Sequence, residues 1–307
     1  MRLERSELAV PASNWRMIEK AAASDADLAF LDLEDAVTPD AKPDGRANVT
    51  RAFSELEWSN KPHVFRMNAL DTPFFYRDLI EIVEACPNSV DMILVPKVNR
   101  AADVYVLDTL LTQIEANAGQ SEPIGLEVLI ETAEGLINCE SIVKASPRVE
   151  SIVFGPGDYT ASLRIPSTSI GTPDEWDAAY PGHRFHYPMH RILVAGRAAG
   201  IRVIDGPFAD FRNLEGFRAS CLLARSLGFD GKMCIHPAQI PIANEVFSPS
   251  EQEIEWASRV VSAYQEATGQ GQGAIQIDGK MVDVASIRMA ETTLHRARAA
   301  GLMKELS

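Results

Sequence analysis

Two acids set the chemical problem. Glu131 and Asp158 each follow an apolar run of strand type, 125–130 and 151–154. Between the runs, Leu136, Ile137, Ile142 and Val143 recur at helical spacing. In a strand–helix–strand unit of a parallel sheet both acids stand at strand C-termini, on the face where sites form. Carboxylates placed side by side repel each other and require a cation. A donor set of oxygens alone favours Mg²⁺, which takes one or two carboxylates and keeps its other positions for water or substrate. The plainer reading of the same spacing is two surface acids that cap helices.

Other strand-like runs end in the same way. The run 28–33 is followed by Glu34 and Asp35, 63–67 contains Arg66, and 92–95 is followed by Pro96 and Lys97. Further on, 201–204 is followed by Asp205, and 232–235 by His236. With 7–10 at the start there are eight such runs, spaced about every 30 residues and mostly separated by helical patterns. Near-continuous apolar strands alternating with helices imply a parallel sheet covered on both faces, and eight units fit a (β/α)₈ barrel of the α/β class. An open doubly wound sheet is the alternative. It finds no support in a GxGxxG after the first strand or in a GxxxxGK[ST] motif. In a barrel, Glu34, Asp35, Arg66, Lys97, Glu131, Asp158, Asp205 and His236 converge on one mouth, the expected place for an active site.

Each charge admits two readings. Arg66 is either a buried ion pair, with Glu34 as the candidate partner, or a fixed guanidinium for a carboxylate or an enolate oxygen. Lys97 is either a phosphate contact or a structural partner of Asp35. The turn Gly155-Pro156-Gly157-Asp158 is a plain turn, or it offers backbone N–H groups to a carboxylate, with Pro156 removing one donor. His183, His186 and His190 read as solvated loop histidines, because Pro188 would break a helix between them. His236 reads as a satisfied strand-end histidine. Asp283, by itself, caps the last helix; carried over the mouth by the glycine-rich stretch 269–273, it could act as a base that arrives on closure.

The remaining sequence bounds the setting. The 307 residues carry a net charge of −14, which excludes a general nucleic-acid binder but not a local anion pocket. There is no run of 18 apolar residues, so no membrane span is expected, and no signal peptide is visible at the N-terminus. Four scattered cysteines without a CxxC suit a reducing cytoplasm. We divide the chain into a barrel, 1–247, and a C-terminal extension, 248–307, with helices, a small hairpin and a final amphipathic helix. The stretch 164–188, rich in Pro, Gly, Ser, Thr and aromatic residues, reads as a long loop after the sixth strand and a candidate substrate cover.

Long stretches also resemble one family. LERSELAVPASN, LAFLDLEDAVTPD, VFRMNALDTPFFYRD, DMILVPKV, EVLIETAEG, VIDGPFADF, GKMCIHPAQIPIANEVFSPS and MVDVASIRMAE are similar to the HpcH/HpaI aldolase and citrate-lyase-β-like CoA-ester lyases. The resemblance is strongest to members that cleave malyl-CoA or β-methylmalyl-CoA. It implies a (β/α)₈ barrel in homotrimers or homohexamers. It implies that Glu131 and Asp158 hold Mg²⁺, or Mn²⁺, that Arg66 binds near the reacting carbonyl, and that Glu34 and Asp35 support Arg66 and metal-bound water. Asp283 would enter from a neighbouring subunit as acid/base, and CoA would cross the mouth near Arg16 and Lys20. The partners would be a CoA thioester and a small 2-oxo acid. The activity would be reversible Claisen-type cleavage to glyoxylate and acetyl- or propionyl-CoA. A malyl-CoA thioesterase or citramalyl-CoA lyase is the alternative, ahead of a CoA-independent 2-oxo acid aldolase or a non-catalytic CoA-ester-binding subunit. Pro156 and Gly157 and a shorter loop 164–188 depart from the malyl-CoA-cleaving members and leave the acid substrate open.

Overall fold

The structure is a computed structural model and describes residues 2–59, 61–180, 182–269 and 273–303. By contact density the chain forms two compact units, Glu4–Asn244 and Glu245–Ser307 with Met1–Leu3.

The larger unit is a closed eight-stranded barrel with neighbouring strands parallel in chain order. The strands are β1 (Ser6–Pro11), β2 (Leu28–Asp32), β3 (His63–Arg66), β4 (Met92–Val95), β5 (Gly125–Ile130), β6 (Val149–Phe154), β7 (Arg202–Asp205) and β8 (Gly231–Cys234). Around them lie α1 (Trp15–Ala22), α2 (Lys42–Glu55), α3 (Phe75–Ala85), α4 (Ala101–Ala118), α5 (Ala133–Ile142), α6 (Pro156–Ser162), α7 (His186–Ala199), α8 (Leu214–Leu227) and α9 (Ile240–Phe247). The expected barrel of eight strands is therefore present. Its strands are apolar on both faces because one face meets the helices and the other fills the barrel.

Leu28, Phe30, Val64, Leu94, Leu129, Val153 and Ile204 form the inner core. Side chains along a strand alternate between the two faces. The residues two steps above Phe30, Val64 and Leu129 are Asp32, Arg66 and Glu131, so the same parity that fills the barrel aims these three into its mouth. It also removes Asp205 from the mouth. Ile204 points inward, so Asp205 points outward, where it is buried and bonded to Lys232.

Helix caps fix how each strand hands over to its helix. The Asn14 side chain accepts from Met17 N–H and starts α1, and the Thr132 side chain accepts from Gly135 N–H and starts α5 directly after Glu131. Two local expectations change. Gly-Pro-Gly-Asp is not a plain turn: Gly155 is the N-cap of α6 and Pro156 its first residue, where a missing N–H costs nothing. Pro188 does not break a helix either, because it falls in the first turn of α7, which therefore holds both His186 and His190, their rings 5.5 Å apart.

The smaller unit contains α10 (Glu251–Gly269), the hairpin β9 (Ile275–Ile277) and β10 (Lys280–Val282), and α11 (Val284–Ala299). Ala257, Val260, Val282, Ala290 and Leu294 form its own core. The expected hinge 269–273 falls mainly on 270–272, which lie outside the described residues.

Candidate active site

Asp32 and Arg66 are partners across β2 and β3. The guanidinium donates from Nε and Nη2 to the two Asp32 oxygens, both at 2.7 Å. Nη1 lies 3.3 Å from Glu34 Oε2. Burial works against the Arg66 charge, but Asp32, Glu34 and Glu131 outweigh it and hold the group protonated. A bidentate pair of this kind fixes direction as well as charge. Asp32 is itself fixed, accepting from the backbone N–H groups of Glu34 and Ala36 at 2.8 and 3.2 Å. From beneath, the buried Lys42 ammonium donates to the carbonyls of Leu33, Glu34 and Val37, which pins the turn that carries Glu34. The turn after Arg66 is pinned in a similar way: Asp78 accepts from the Asn68 backbone and side chain and pairs with Arg46.

Lys97 joins this arginine corner to the carboxylates. Its ammonium is 2.8 Å from Glu34, 3.6 Å from Asp35 and 3.8 Å from Asp158, and its own N–H donates to Glu131 Oε1 at 2.8 Å. Its backbone is left-handed, with φ 52°, an uncommon conformation for a residue with a side chain. Burial opposes the ammonium charge, but Glu34, Asp158 and Asp35 together raise its pKa. The geometry thus gives Lys97 to acidic partners, with Glu34 nearer than the expected Asp35.

Glu131 is 4% exposed. Burial, then the charges of Glu34 and Asp158, push its carboxyl well above the usual range. Glu34 is also raised, mainly by burial, against the pull of Arg66 and Lys97. A divalent cation would relieve both, and the residues fit one. Glu131 Oε1 is occupied by the Lys97 N–H, while Oε2 lies over Gly155, 2.7 Å from where a Cβ would stand. Gly155 thereby leaves open the space between this oxygen and the turn that carries Asp158. The donor set is oxygen only, as Mg²⁺ prefers.

The remaining candidates spread around this corner. Gly157 carries Ile170 close above its Cα, so the loop 164–188 reaches the start of α6. That loop is ordered by Arg184, which pairs with Asp174 and Asp177 and donates to Pro166 O. It is tied to the β7 side by Ala209 N–H donating to Ile170 O at 2.9 Å. His183 lies beside Phe185, and burial lowers its pKa, so it is not a solvated loop histidine. His236 stacks on Phe211 and caps the turn at Pro237. Arg16 and Lys20 are exposed on α1. Asp283 is in the smaller unit, where it caps α11: Oδ1 accepts from Ala285 N–H, Ser286 N–H and the Ser286 hydroxyl. The Ser286 backbone, then its hydroxyl, hold the Asp283 carboxyl below the usual range.

Asp32 is the residue that sequence reasoning missed. It sits inside an apolar run that was read as strand to Leu33. The signal was available, because Asp32 and Glu34 are two apart, as strand residues on one face are.

Comparison with known proteins agrees with this architecture. The family model for HpcH/HpaI aldolase/citrate lyase matches residues 5–237. The chain is 43% identical over 305 residues to the L-malyl-CoA/β-methylmalyl-CoA lyase of Rhodobacter capsulatus, covering 97% of this chain and 96% of the other. It is 39% identical over 295 residues to the (3S)-malyl-CoA thioesterase of Cereibacter sphaeroides, covering 96% and 95%. Among solved structures it resembles CitE from Mycobacterium tuberculosis in complex with magnesium, acetoacetate and coenzyme A, with a TM-score of 0.75, 30% identity, and 95% and 97% of the two chains covered. With the family model spanning the barrel and these relatives spanning nearly the whole chain, the protein belongs to the HpcH/HpaI aldolase/citrate lyase family.

Proposed function

We propose that the protein is a divalent-metal-dependent carbon–carbon lyase. It cleaves L-malyl-CoA or β-methylmalyl-CoA reversibly to glyoxylate and acetyl- or propionyl-CoA. The observation that carries this reading is the guanidinium of Arg66, clamped by Asp32 and Glu34 beside the oxygen corner of Glu131 and Asp158. The relative of 43% identity, itself an L-malyl-CoA/β-methylmalyl-CoA lyase, supports the substrate class.

Glu131 and Asp158 would hold Mg²⁺, or Mn²⁺ in its place, which supplies Lewis acidity to the substrate hydroxyl and to the 2-oxo acid carbonyl. Arg66 spends Nε and one Nη2 N–H on Asp32 and sets Nη1 beside Glu34, which leaves the remaining N–H groups of the fork for the thioester oxygen, where enolate charge gathers as the bond breaks. Because Asp32 and Glu34 fix it beforehand, little reorganisation accompanies that charge. Asp35 and Lys97 complete the charge balance at the rim. The N–H groups of Gly157 and Asp158, after Gly155 and Pro156, would hold the carboxylate of the 2-oxo acid. Asp283, ionised because its N-cap bonds favour the carboxylate, suits removal of a proton from the acyl α-carbon in condensation; in cleavage the same carboxyl must be protonated first, and gives that proton to the carbon. It would come from a neighbouring subunit of a homotrimer or homohexamer. Arg16 and Lys20 would meet CoA phosphates. The four cysteines, all buried free thiols, support a cytoplasmic setting. No helix among the described residues is long and apolar enough to cross a membrane.

A second reading, hydrolysis of malyl-CoA at the same site, is favoured by the thioesterase relative. Incubation with malyl-CoA and Mg²⁺ separates them. The lyase gives glyoxylate and acetyl-CoA in equal amounts, and EDTA stops it. Malate with free CoA and no glyoxylate would replace the lyase with the thioesterase. Pyruvate from citramalyl-CoA would move the acceptor acid, and cleavage of a free 4-hydroxy-2-oxo acid would indicate a CoA-independent aldolase. Binding of the ester without turnover would leave only a binding subunit.

A further inference from the structure

The barrel carries a second group of acids, on strands that also build the active site but at the opposite end. Glu7 is the second residue of β1 and Glu127 the third of β5. Glu127 lies on the same side of β5 as Leu129 and Glu131, two steps and four steps further along. It therefore faces the barrel interior, about 13 Å below the level of Glu131 at ~3.3 Å per residue. Glu4 precedes β1. One oxygen from each of Glu4, Glu7 and Glu127 lies within 4.8 Å of the others. Glu7 and Glu127 are wholly buried, and Glu4 is 2% exposed.

These are not surface acids that water could satisfy. All six oxygens are inaccessible and none is met by an N–H or O–H donor in good hydrogen-bond geometry, while the Glu7 and Glu127 carboxyls face each other closely enough for a proton to be shared between them. Among the described residues the cation in contact with this group is Arg202, at the start of β7, and it is shared. Its Nε is 2.7 Å from Glu4 Oε2 but off-axis, an ion pair without an aligned bond, and its Nη2 donates to Glu150 at 3.0 Å. Among the described residues Glu7 and Glu127 have no ion pair at contact distance; Arg202 lowers both carboxyls from further off, and Ser151 adds to this at Glu127. Uncompensated carboxylates in a dry interior cost several kcal/mol each. Either protons or a metal must offset that.

We infer that Glu4, Glu7 and Glu127 bind a hard divalent cation at the closed end of the barrel, a structural site separate from the mouth. The geometry suits such an ion. Oxygens bound at 2.3–2.6 Å to a Ca²⁺-sized ion stand no more than about 5 Å apart, and smaller ions draw them closer. An oxygen-only, fully enclosed set excludes soft metals. With three buried carboxylates near one guanidinium, two positive charges offset the remaining local excess. Burial, joined by repulsion from Glu127, pushes Glu4 up to about 8, and burial pushes Glu127 to about 7 against the pull of Glu7, Arg202 and Ser151. Residues at the N-terminal face of a barrel serve stability rather than catalysis, so the expected effect is on unfolding.

The test uses the full chain with the mouth disabled, Glu131→Gln with Asp158→Asn, so that it does not depend on the proposed activity. The protein is stripped with EDTA, reloaded separately with Mg²⁺, Mn²⁺ or Ca²⁺, freed of unbound ion, and analysed by mass spectrometry of the metals. The inference expects about one ion per chain with at least one of the three, and a melting temperature that rises with that ion and falls with EDTA. Adding Glu7→Gln and Glu127→Gln should abolish the retained ion. Less than about 0.1 ion per chain in the mouth-disabled protein, with a melting temperature insensitive to EDTA, would mean that shared protons balance the charge, and would overturn the site. Retention of the ion after both glutamine substitutions, in a protein that still melts cooperatively, would also overturn it.

Discussion

Gly155→Ala isolates the metal corner from every other function of the mouth. The backbone at 155 has φ −97° and ψ 91°, which alanine adopts without strain. The effect is therefore steric. The new Cβ would stand 2.5 Å from Glu131 Cβ and 2.7 Å from Glu131 Oε2. Ordinary contact begins near 3.4 Å, so Glu131 must move by about 1 Å. Metal–oxygen bonds tolerate about 0.2 Å. A shift several times larger costs roughly what loss of a supporting partner does, 10–100-fold in metal affinity, or about 1.4–2.7 kcal/mol. The assay is calorimetric titration of the stripped protein with Mg²⁺, followed by turnover against Mg²⁺ concentration. We expect a higher Mg²⁺ requirement, partly restored at saturating metal, with the fold intact by circular dichroism. Wild-type Mg²⁺ affinity in Gly155→Ala would refute the claim that Glu131 Oε2 faces the ion.

Other perturbations probe the neighbouring parts. Asp32→Asn removes the bidentate anchor of a buried guanidinium; breaking such a pair costs about 3–5 kcal/mol, so thermal stability and kcat should both fall while CoA-ester binding changes little, and an unaltered kcat would remove the clamp from the mechanism. Asp283→Asn should slow turnover by about 10²–10⁴-fold, the usual worth of general acid–base catalysis, and an unchanged rate in either direction would exclude it. Ser286→Ala removes a bond that favours the Asp283 carboxylate. A depressed carboxyl contributes stability above its unfolded value, near 3.9, and loses it as pH falls through the folded value. The variant should therefore lose that contribution at a higher pH, followed by the carboxyl carbon shift of Asp283 in an NMR titration; an unmoved titration contradicts the capping assignment. Arg184→Ala removes the ion pairs with Asp174 and Asp177 that order the loop 164–188 internally, and the ratio of free CoA to acetyl-CoA released from malyl-CoA should rise as water enters; a constant ratio denies the loop a covering role.

The barrel was legible because its strands are mostly apolar, end in charge and alternate with helical patterns, as in a parallel sheet covered on both faces. The same rule misled at Asp205, where charge at a strand end was taken for charge in the mouth. Parity decides between them, and parity requires knowing which residue of the strand points inward. Asp32 was hidden for the complementary reason, since one acid among Phe30, Leu31 and Leu33 leaves the hydrophobic run nearly unchanged. The helix at 156–162 was unreadable as such because Gly-Pro-Gly signals a turn until the residues after it are seen to continue. The Glu4, Glu7 and Glu127 group was invisible because Glu127 lies 120 residues or more from the other two and meets them only through closure of the barrel.

The central claim is one divalent ion between Glu131 and Asp158, with Arg66 beside it. Crystals soaked in Mn²⁺ and measured for anomalous scattering test it most directly. The account predicts a peak within about 2.0–2.3 Å of a carboxylate oxygen from each of these two residues, on the side of Gly155 away from Lys97 N. A map with no peak there at saturating Mn²⁺, or with the two carboxylates turned apart, would contradict it.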